Sequence, residues 1–545
     1  MKKLLALLLA MLMVLSLAAC GGTAEEAPAP EAAPAEEAAP AAEGNVLRIG
    51  LDFEPSTVNP TTQADGQGSM FVTMSLYDGL WKPLVSGEIV MLLAESYEFV
   101  EETVDTAAAG DASAEASGEP CGTSLVVHLR EGLTFSDGNP ITAEDVLWSF
   151  NYANSGTAGA MRLSNIALPY AYAKDDLTVV FPLYKQTPTI IEDLALIYVL
   201  EKAWCEQSED NINLNPVSSG AYTLESWESG MGVTLAKRDD YFDAANVYYD
   251  TVDITFIAAE ETRLLAFENG DFDMVTLTAS TSIDEINSGV VDGASMVVCP
   301  VQSLTGFQMN MVDFDIFDDV RVRKAIGHAI DVPTLVAAIC GSAYTVADSI
   351  LPSSNWAHVS CGNYDYDVEL AKQLLAEAGY GEGNPFTFTC VISDGGYNGM
   401  LAEATQAMLA EAGIVMNIES KDGATYMNMV LNNEIPFAIN SYMGSFDPAG
   451  LVNPRRPGLP AHLSNYADPE LEALLEECCN SMEDQSVRKP MWEELQTRTY
   501  EYANFIPLYE SNINYAVSDA IAGDSLASSM LADGYLYANY IKGVQ

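Results

Sequence analysis

Basic residues are scarce in this sequence of 545 residues: 23 Lys and Arg stand against 78 Asp and Glu, a formal net charge of −55. Such a surface repels phosphate backbones, which excludes nucleic acid as a partner. It also excludes lying flat on an anionic bilayer. Histidine numbers only 4, no CxxC pair occurs, and no Cys/His set has zinc spacing, so no metal or other cofactor is expected. GxSxG, HExxH, P-loop and Rossmann signatures are all missing. Internal repeats and heptad runs are missing too. The apolar run from Leu4 to Leu17 is shorter than the ~20 residues a membrane-spanning helix needs.

What is present begins at the N-terminus. Met1-Lys2-Lys3, the short apolar run and then Leu17-Ala18-Ala19-Cys20-Gly21 have the order of a secretory signal peptide. The Cys at the cleavage point resembles a bacterial lipobox, whose Cys is acylated and becomes the new N-terminus. An ordinary signal peptide with a chance Cys is the alternative. The division is then a signal peptide at 1–19 and a lipid anchor with a tether at 20–45. Residues 21–44 hold Ala, Glu, Pro, Gly and one Thr, with no large apolar residue. Such composition cannot bury enough surface to order itself. Spaced prolines and self-repelling glutamates suit a semi-extended spacer of up to ~70 Å, at ~3.1 Å per residue.

The body that follows, roughly 500 residues, is too long for one core and implies two or more domains. Its composition, 49% hydrophobic and 9% aromatic, is ordinary for a folded protein. Val46–Leu51 and Ser124–Leu129 read as strands. Residues 101–120 read as an acidic surface loop between two strands. Thr142 is a good N-cap, with Asp145 in the first turn where negative charge opposes the dipole. Helices are predicted at 70–77, 260–269, 319–330, 367–378 and 403–412, with strands at 252–257, 271–275, 414–418 and 436–439. Gly379 and Gly413 mark helix stops. Alternation of helices and strands across 300–450 predicts an α/β domain. Cys478 and Cys479, adjacent on a helix, read as structural, and the remaining cysteines read equally well as buried thiols or bridges. The scattered His128, His328, His358 and His462 read as ordinary polar residues.

Six motifs occur in order: LVVHLREGLTFSDGNPITAEDVLWSF at 125–150, Asn215–Tyr222, Glu261–Arg263 with Gly270–Asp273, VRVRKAIGHAID at 320–331, LAKQLLAEAGY at 370–380, and Ile506–Tyr509. Together they resemble the extracellular solute-binding proteins of bacterial ABC importers, the peptide/nickel-binding group. The resemblance implies an α/β, two-lobed periplasmic-binding-protein-like fold with an inserted subdomain and a cleft between the lobes. Lobe I would comprise 46–85, 217–302 and 506–545, with the insert at 86–216. Lobe II would comprise 303–505, and the crossings near 302 and 505 would be hinges. It further implies a monomer on the outer face of the cell membrane, anchored at Cys20, that passes a peptide or small-molecule ligand to the importer's membrane subunits.

Most of these motifs read as structural, with Asp137-Gly138 a turn and Arg263 and Arg323 pairing with carboxylates. The ligand is expected at NSYMGSFDPAG, residues 440–450, after a strand end where open α/β sheets bind ligands. In peptide-binding relatives an Asp of this loop accepts the peptide ammonium. Counting from Tyr442, that position falls on Ser445, and the nearby acid is Asp447. Asp447 either substitutes as the ammonium acceptor or caps the turn, as Asp-Pro sequences do. Trp356 is a second candidate, as an aromatic wall or a packing residue. Glu54 and Asn59 are candidates for the lobe I edge of the cleft. Peptides are the favoured cargo. An oligosaccharide, a nickel complex or haem is the alternative on the same fold. A surface glycan hydrolase is a third reading, since abundant carboxylates permit chance pairs.

Overall fold

The computed structural model describes residues 45–61, 66–84, 88–101, 118–443, 446–452, 466–530 and 535–544. The signal segment, Cys20, the tether, most of the 101–120 loop, Ser445 and His462 lie outside them. Among the described residues no helix is long and apolar enough to cross a membrane.

An 11-stranded sheet runs through the body. Its lobe I half is built on Val46–Leu51, whose alternate apolar residues are buried, lying parallel to Thr251–Phe256 and to Met274–Leu277. Gly232–Lys237 and then Tyr222–Glu228 extend this half to its edge. The lobe II half carries Phe437–Met443, Thr387–Ser393 and Val415–Lys421. Two long antiparallel strands, Ala294–Met309 and Phe505–Ser518, join the halves. Ala294–Pro300 pairs with Asn512–Ser518, and Leu304–Gln308 pairs with Phe505–Glu510. Their register shifts between Pro300 and Leu304.

Separate cores flank this break. One holds Leu47, Ile49, Tyr222, Ile254, Ile513 and Tyr515. Another holds Phe307, Phe317, Phe388, Phe437, Ile506 and Leu508. A third belongs to the insert. There an antiparallel sheet (Ala94–Glu101, Thr123–Leu129, Thr178–Pro182, Tyr172–Asp175) packs on helix Ala143–Asn154, with the Phe150 and Phe181 rings stacked at 4.6 Å. Each such buried aromatic or aliphatic side chain contributes roughly 1.5–3 kcal/mol.

Ile506, Leu508 and Tyr509 pack in the core that holds Phe307 and Phe437, on the other side of the register break from Ile513 and Tyr515. Leu80 and Trp81 pack in the core of the antiparallel sheet.

Local signals explain most elements. Thr142 and Asp145 form the capping box, with the Thr142 N–H donating to Asp145 Oδ2 at 3.0 Å. Helix Val368–Glu377 stops at Gly379, whose φ of 92° suits a residue without Cβ. The Asn215–Tyr222 motif fastens the insert to lobe I. Ser219 Oγ donates to Val199 O at 2.7 Å and accepts from the Asp78 N–H at 3.1 Å. A Cβ on Gly220 would meet the Leu76 carbonyl carbon at 2.8 Å, so a side chain is barred there. The helices begin four to five residues early at Gly66–Leu76 and Asn398–Glu411, while Asp319 caps Val320–His328 as a shorter helix. Arg323 does not pair with a carboxylate. It donates to the Phe317, Asp318 and Tyr502 carbonyls, which are helix-end and turn acceptors. Arg263 donates to the Thr276 and Ile257 carbonyls, with Glu260 at 3.7 Å. Cys121, Cys205, Cys299, Cys340, Cys361, Cys390, Cys478 and Cys479 are free thiols.

Candidate functional site

At the break in register the long strands leave Gln302, Ser303 and Ser511 outside the ladder, and Ser303 Oγ donates to Ser511 Oγ at 3.4 Å. The loop after Leu351-Pro352 is bound to this crossing. Gln302 Nε2 donates to Ser354 Oγ at 2.9 Å, and Asn355 Nδ2 donates to Gln302 Oε1 at 2.9 Å. Glu510 accepts from the Ser353 N–H at 2.8 Å and from Ser353 Oγ at 2.6 Å. Burial raises the Glu510 carboxyl above the usual range, against the pull of the Ser353 bonds. Asn355 Nδ2 also donates to Phe446 O at 2.9 Å. The same loop therefore ties the crossing to the residues just before Asp447.

Asp447 is buried and held on every side. Arg488 grips it through both nitrogens, Nη1 to Oδ2 at 2.6 Å and Nη2 to Oδ1 at 2.8 Å. The Ala449 N–H donates to Oδ1 at 2.9 Å, which caps the short helix Pro448–Val452. A planar bidentate pair of this kind is the strongest form of charged hydrogen bond. The Ala449 bond has the geometry of a turn cap, reinforced by an arginine 41 residues away. The Arg488 guanidinium also lies 5.4 Å from the Trp356 ring centroid. Trp356 is half-buried, and its Nε1–H has no hydrogen-bond partner among the described residues.

Tyr442 lies on strand Phe437–Met443, opposite Leu304, with its ring 6.1 Å from Phe505. It is 5% exposed and belongs to the packed core under the loop, while its neighbours Ser441 and Met443 face outward. The strand pleat explains this, because alternate residues face opposite sides. Glu54 accepts from Trp227 Nε1 and the Gly230 N–H, both at 2.8 Å. Asn59 is buried, donating through Nδ2 to Tyr152 Oη at 2.8 Å and accepting from the Thr61 N–H at 3.0 Å. Both therefore fix the loop after Val46–Leu51. Asp447 and Trp356 come together on Arg488, with Tyr442 in the core beneath, while Glu54 and Asn59 stand apart in lobe I.

Hydrogen bonds join the insert to lobe II. The Asp447 N–H donates to Glu192 Oε2 at 2.8 Å, and Lys185 Nζ donates to Asn480 Oδ1 at 2.7 Å. Beside Glu192, Asp193 accepts from Thr189 Oγ1 at 2.7 Å. Burial pushes its carboxyl up to about 6. The Thr189 bond and Arg162 pull it down, and the Asp447 charge pushes it further up. Sequence reading missed Arg488, Glu192, Asn355 and Gln302. Their partners lie 41 to 255 residues away, and no spacing rule reaches that far.

A separate concavity of about 700 Å³ is walled by Trp204, Trp227, Leu214, Pro216 and Leu224. No lobe II residue lines it, so it is not the space between the lobes.

Residues 88–455 match the family of bacterial extracellular solute-binding proteins, family 5 (middle), and the chain belongs to that family. It is 26% identical over 430 residues to Heme-binding protein A of Haemophilus influenzae, covering 72% of this chain and 76% of that one. It is 26% identical over 384 residues to the glutathione-binding protein GsiB of Escherichia coli, covering 69% of each. The structure of HbpA2 from Haemophilus parasuis superposes with a TM-score of 0.78 at 19% identity, over 92% of this chain and all of that one. The two-lobed fold with an inserted subdomain is thus that of this family. The chain is an extracytoplasmic substrate-binding protein of an ABC transporter, not an enzyme. Proteins of this kind bind a small ligand or peptide and deliver it to membrane permease subunits.

Proposed function

We propose that this chain is a monomeric lipoprotein, moored through Cys20, that captures peptides between lobe I with its insert and lobe II for an ABC importer. The observation that carries the reading is the crossing itself. The chain passes between the halves in two paired strands, their register breaks there, and the Ser353–Asn355 loop links the break to the Asp447 loop facing the insert. Such a joint allows the lobes to rotate, and a ligand touching both favours the closed form by its differential affinity. The proposed division is lobe I at 46–79, 217–301 and 511–545, the insert at 80–216, and lobe II at 302–510. Relatives support peptides as cargo, since GsiB is named for glutathione, itself a short peptide. Trp356 is the proposed aromatic wall, with Ser445 and Tyr442 as further candidates and Glu54 and Asn59 on the lobe I side.

A second reading, a non-peptide solute, is favoured by one contact. Arg488 already neutralises Asp447, so that carboxylate is not free to accept a peptide ammonium. The Haemophilus influenzae relative is named for haem. A thermal-shift series on the full chain with di- to pentapeptides, glutathione, oligosaccharides, haem and Ni²⁺ separates the two. Peptide cargo gives a melting shift that grows with peptide concentration. Stabilisation by haem, a sugar or Ni²⁺ with none by any peptide overturns the peptide reading.

A further inference from the structure

The concavity of about 700 Å³ lies against the last strand of the large sheet. That strand, Tyr222–Glu228, pairs on one side only, with Gly232–Lys237. Leu224, Glu225 and Trp227 line the cavity from the strand, and Trp204 and Pro216 line it from the end of the insert. Its volume falls within the ~300–1,000 Å³ of small-molecule sites.

Two properties of the walls restrict what fits. The first is that neither tryptophan has an N–H to offer. Trp204 Nε1 donates to Asn215 O and Trp227 Nε1 donates to Glu54 Oε1, each at 2.8 Å. These bonds fix where the indoles stand, and they leave ring surface, not donors, for a guest. The Trp227 bond also ends on a carboxylate, which polarises the indole and strengthens the negative potential of its face. The second property is charge. Of the described residues that line the cavity, Glu225 alone is charged. It is exposed, and its carboxylate has no salt bridge among the described residues. The chain as a whole carries −55. An anionic guest would meet repulsion and no counter-charge. A neutral polar guest would find both indole donors taken. A cation with an apolar body uses every wall: ring faces and the carboxylate hold its charge, while Leu224 and Pro216 cover its body.

We propose that this cavity is a second binding site, distinct from the space between the lobes, for a substituted ammonium compound. Trp204 and Trp227 supply the ring faces, and Glu225 supplies the counter-charge. The site stands apart from the peptide reading, because no residue of lobe II and none of the candidate cargo residues lines the cavity.

Isothermal titration calorimetry of the full chain tests this with choline and with its neutral analogue, in which a tert-butyl group replaces the trimethylammonium group. Choline should bind with a saturating isotherm. The analogue has the same shape without the charge and should bind at least about tenfold more weakly. Glu225→Gln alters an exposed side chain, keeps its length and should weaken choline about fivefold. Trp204→Leu should weaken it by about tenfold or more, and Trp204→Phe, which keeps a ring with a weaker face, should fall between that variant and wild type. Absence of saturable choline binding overturns the proposal, and so does equal binding of the neutral analogue. Choline affinity that survives both Glu225→Gln and Trp204→Leu places the cation elsewhere and overturns it as well. Stabilisation by peptides should persist in the Trp204→Leu chain, so this site and the peptide reading fail separately.

Discussion

Two buried acid–base pairs in this protein are built on opposite plans. Asp447 and Arg488 meet face to face in lobe II, with both carboxylate oxygens bonded at 2.6 and 2.8 Å. Asp78 and Lys82, where lobe I meets the insert, are buried without such closure. Tyr241 Oη donates to Asp78 Oδ2 at 2.7 Å, but Asp78 Oδ1 and Lys82 Nζ have no hydrogen-bond partner among the described residues. Lys82 Nζ instead lies 3.3 Å from the Tyr540 ring centroid and 4.4 Å from that of Tyr537. A guanidinium matches a carboxylate in plane and number of donors, whereas an ammonium is a point charge that aromatic faces can hold only by their quadrupole. The first pair fixes a loop geometry. The second leaves both charges poorly compensated. Burial drives Asp78 up and Lys82 down, each to about 7, with their mutual attraction opposing both shifts.

Removing one member separates the plans most sharply. Arg488→Ala leaves Asp447 buried without its partner and should cost about 3–5 kcal/mol in urea unfolding. Adding Asp447→Asn should recover part of that loss. A cost below about 1 kcal/mol would mean that the bidentate pair is no better compensated than a surface one. The weaker pair should show itself in pH dependence instead. Between about pH 4 and pH 7 the fold keeps a proton on Asp78 that the unfolded chain has released, so stability falls as pH rises through that window. Between about 7 and ~10.4 the unfolded Lys82 keeps a proton that the fold has lost, so stability rises again. This pair therefore contributes a minimum near neutrality. Asp78→Asn should remove the falling limb, shrinking the difference in unfolding free energy between pH 5 and pH 7 by up to about 2 kcal/mol. An unchanged difference would place the titration elsewhere. Glu54→Ala, which takes acceptors from Trp227 Nε1 and the Gly230 N–H, should cost about 1 kcal/mol by the same unfolding measurement. The exposed Lys372–Glu369 pair at 2.8 Å sets the floor, and Lys372→Ala should change stability by less than about 0.5 kcal/mol.

What was legible in the sequence is local chemistry. Strand Val46–Leu51 follows from its apolar alternation, the capping box from Thr142 and Asp145, and the stop after Glu377 from Gly379. The motifs that resemble the solute-binding family were legible because they are such local devices. Their work is turns, caps and the seam at Gly220, so they identify the fold and leave the cargo open. The site was illegible for the complementary reason. Arg488 reaches Asp447 over 41 residues and Glu192 reaches it over 255, through folding and not through periodicity. Tyr442 shows a smaller limit. Its segment, 440–450, reads as a loop after a strand at 436–439, but the strand continues to Met443, and the pleat then turns the ring into the core.

The return strand Phe505–Ser518 has a consequence for how the molecule is made. Met274–Leu277 of lobe I lies directly against it, with Met274 opposite Val517 and Leu277 opposite Asn514. The half that leaves the ribosome first therefore lacks an interior neighbour until Phe505–Ser518 is synthesised. A chain released before that point has an open seam through the middle of its sheet. Loop closure over more than two hundred residues then has to precede the native pairing, which sets a slow step late in maturation.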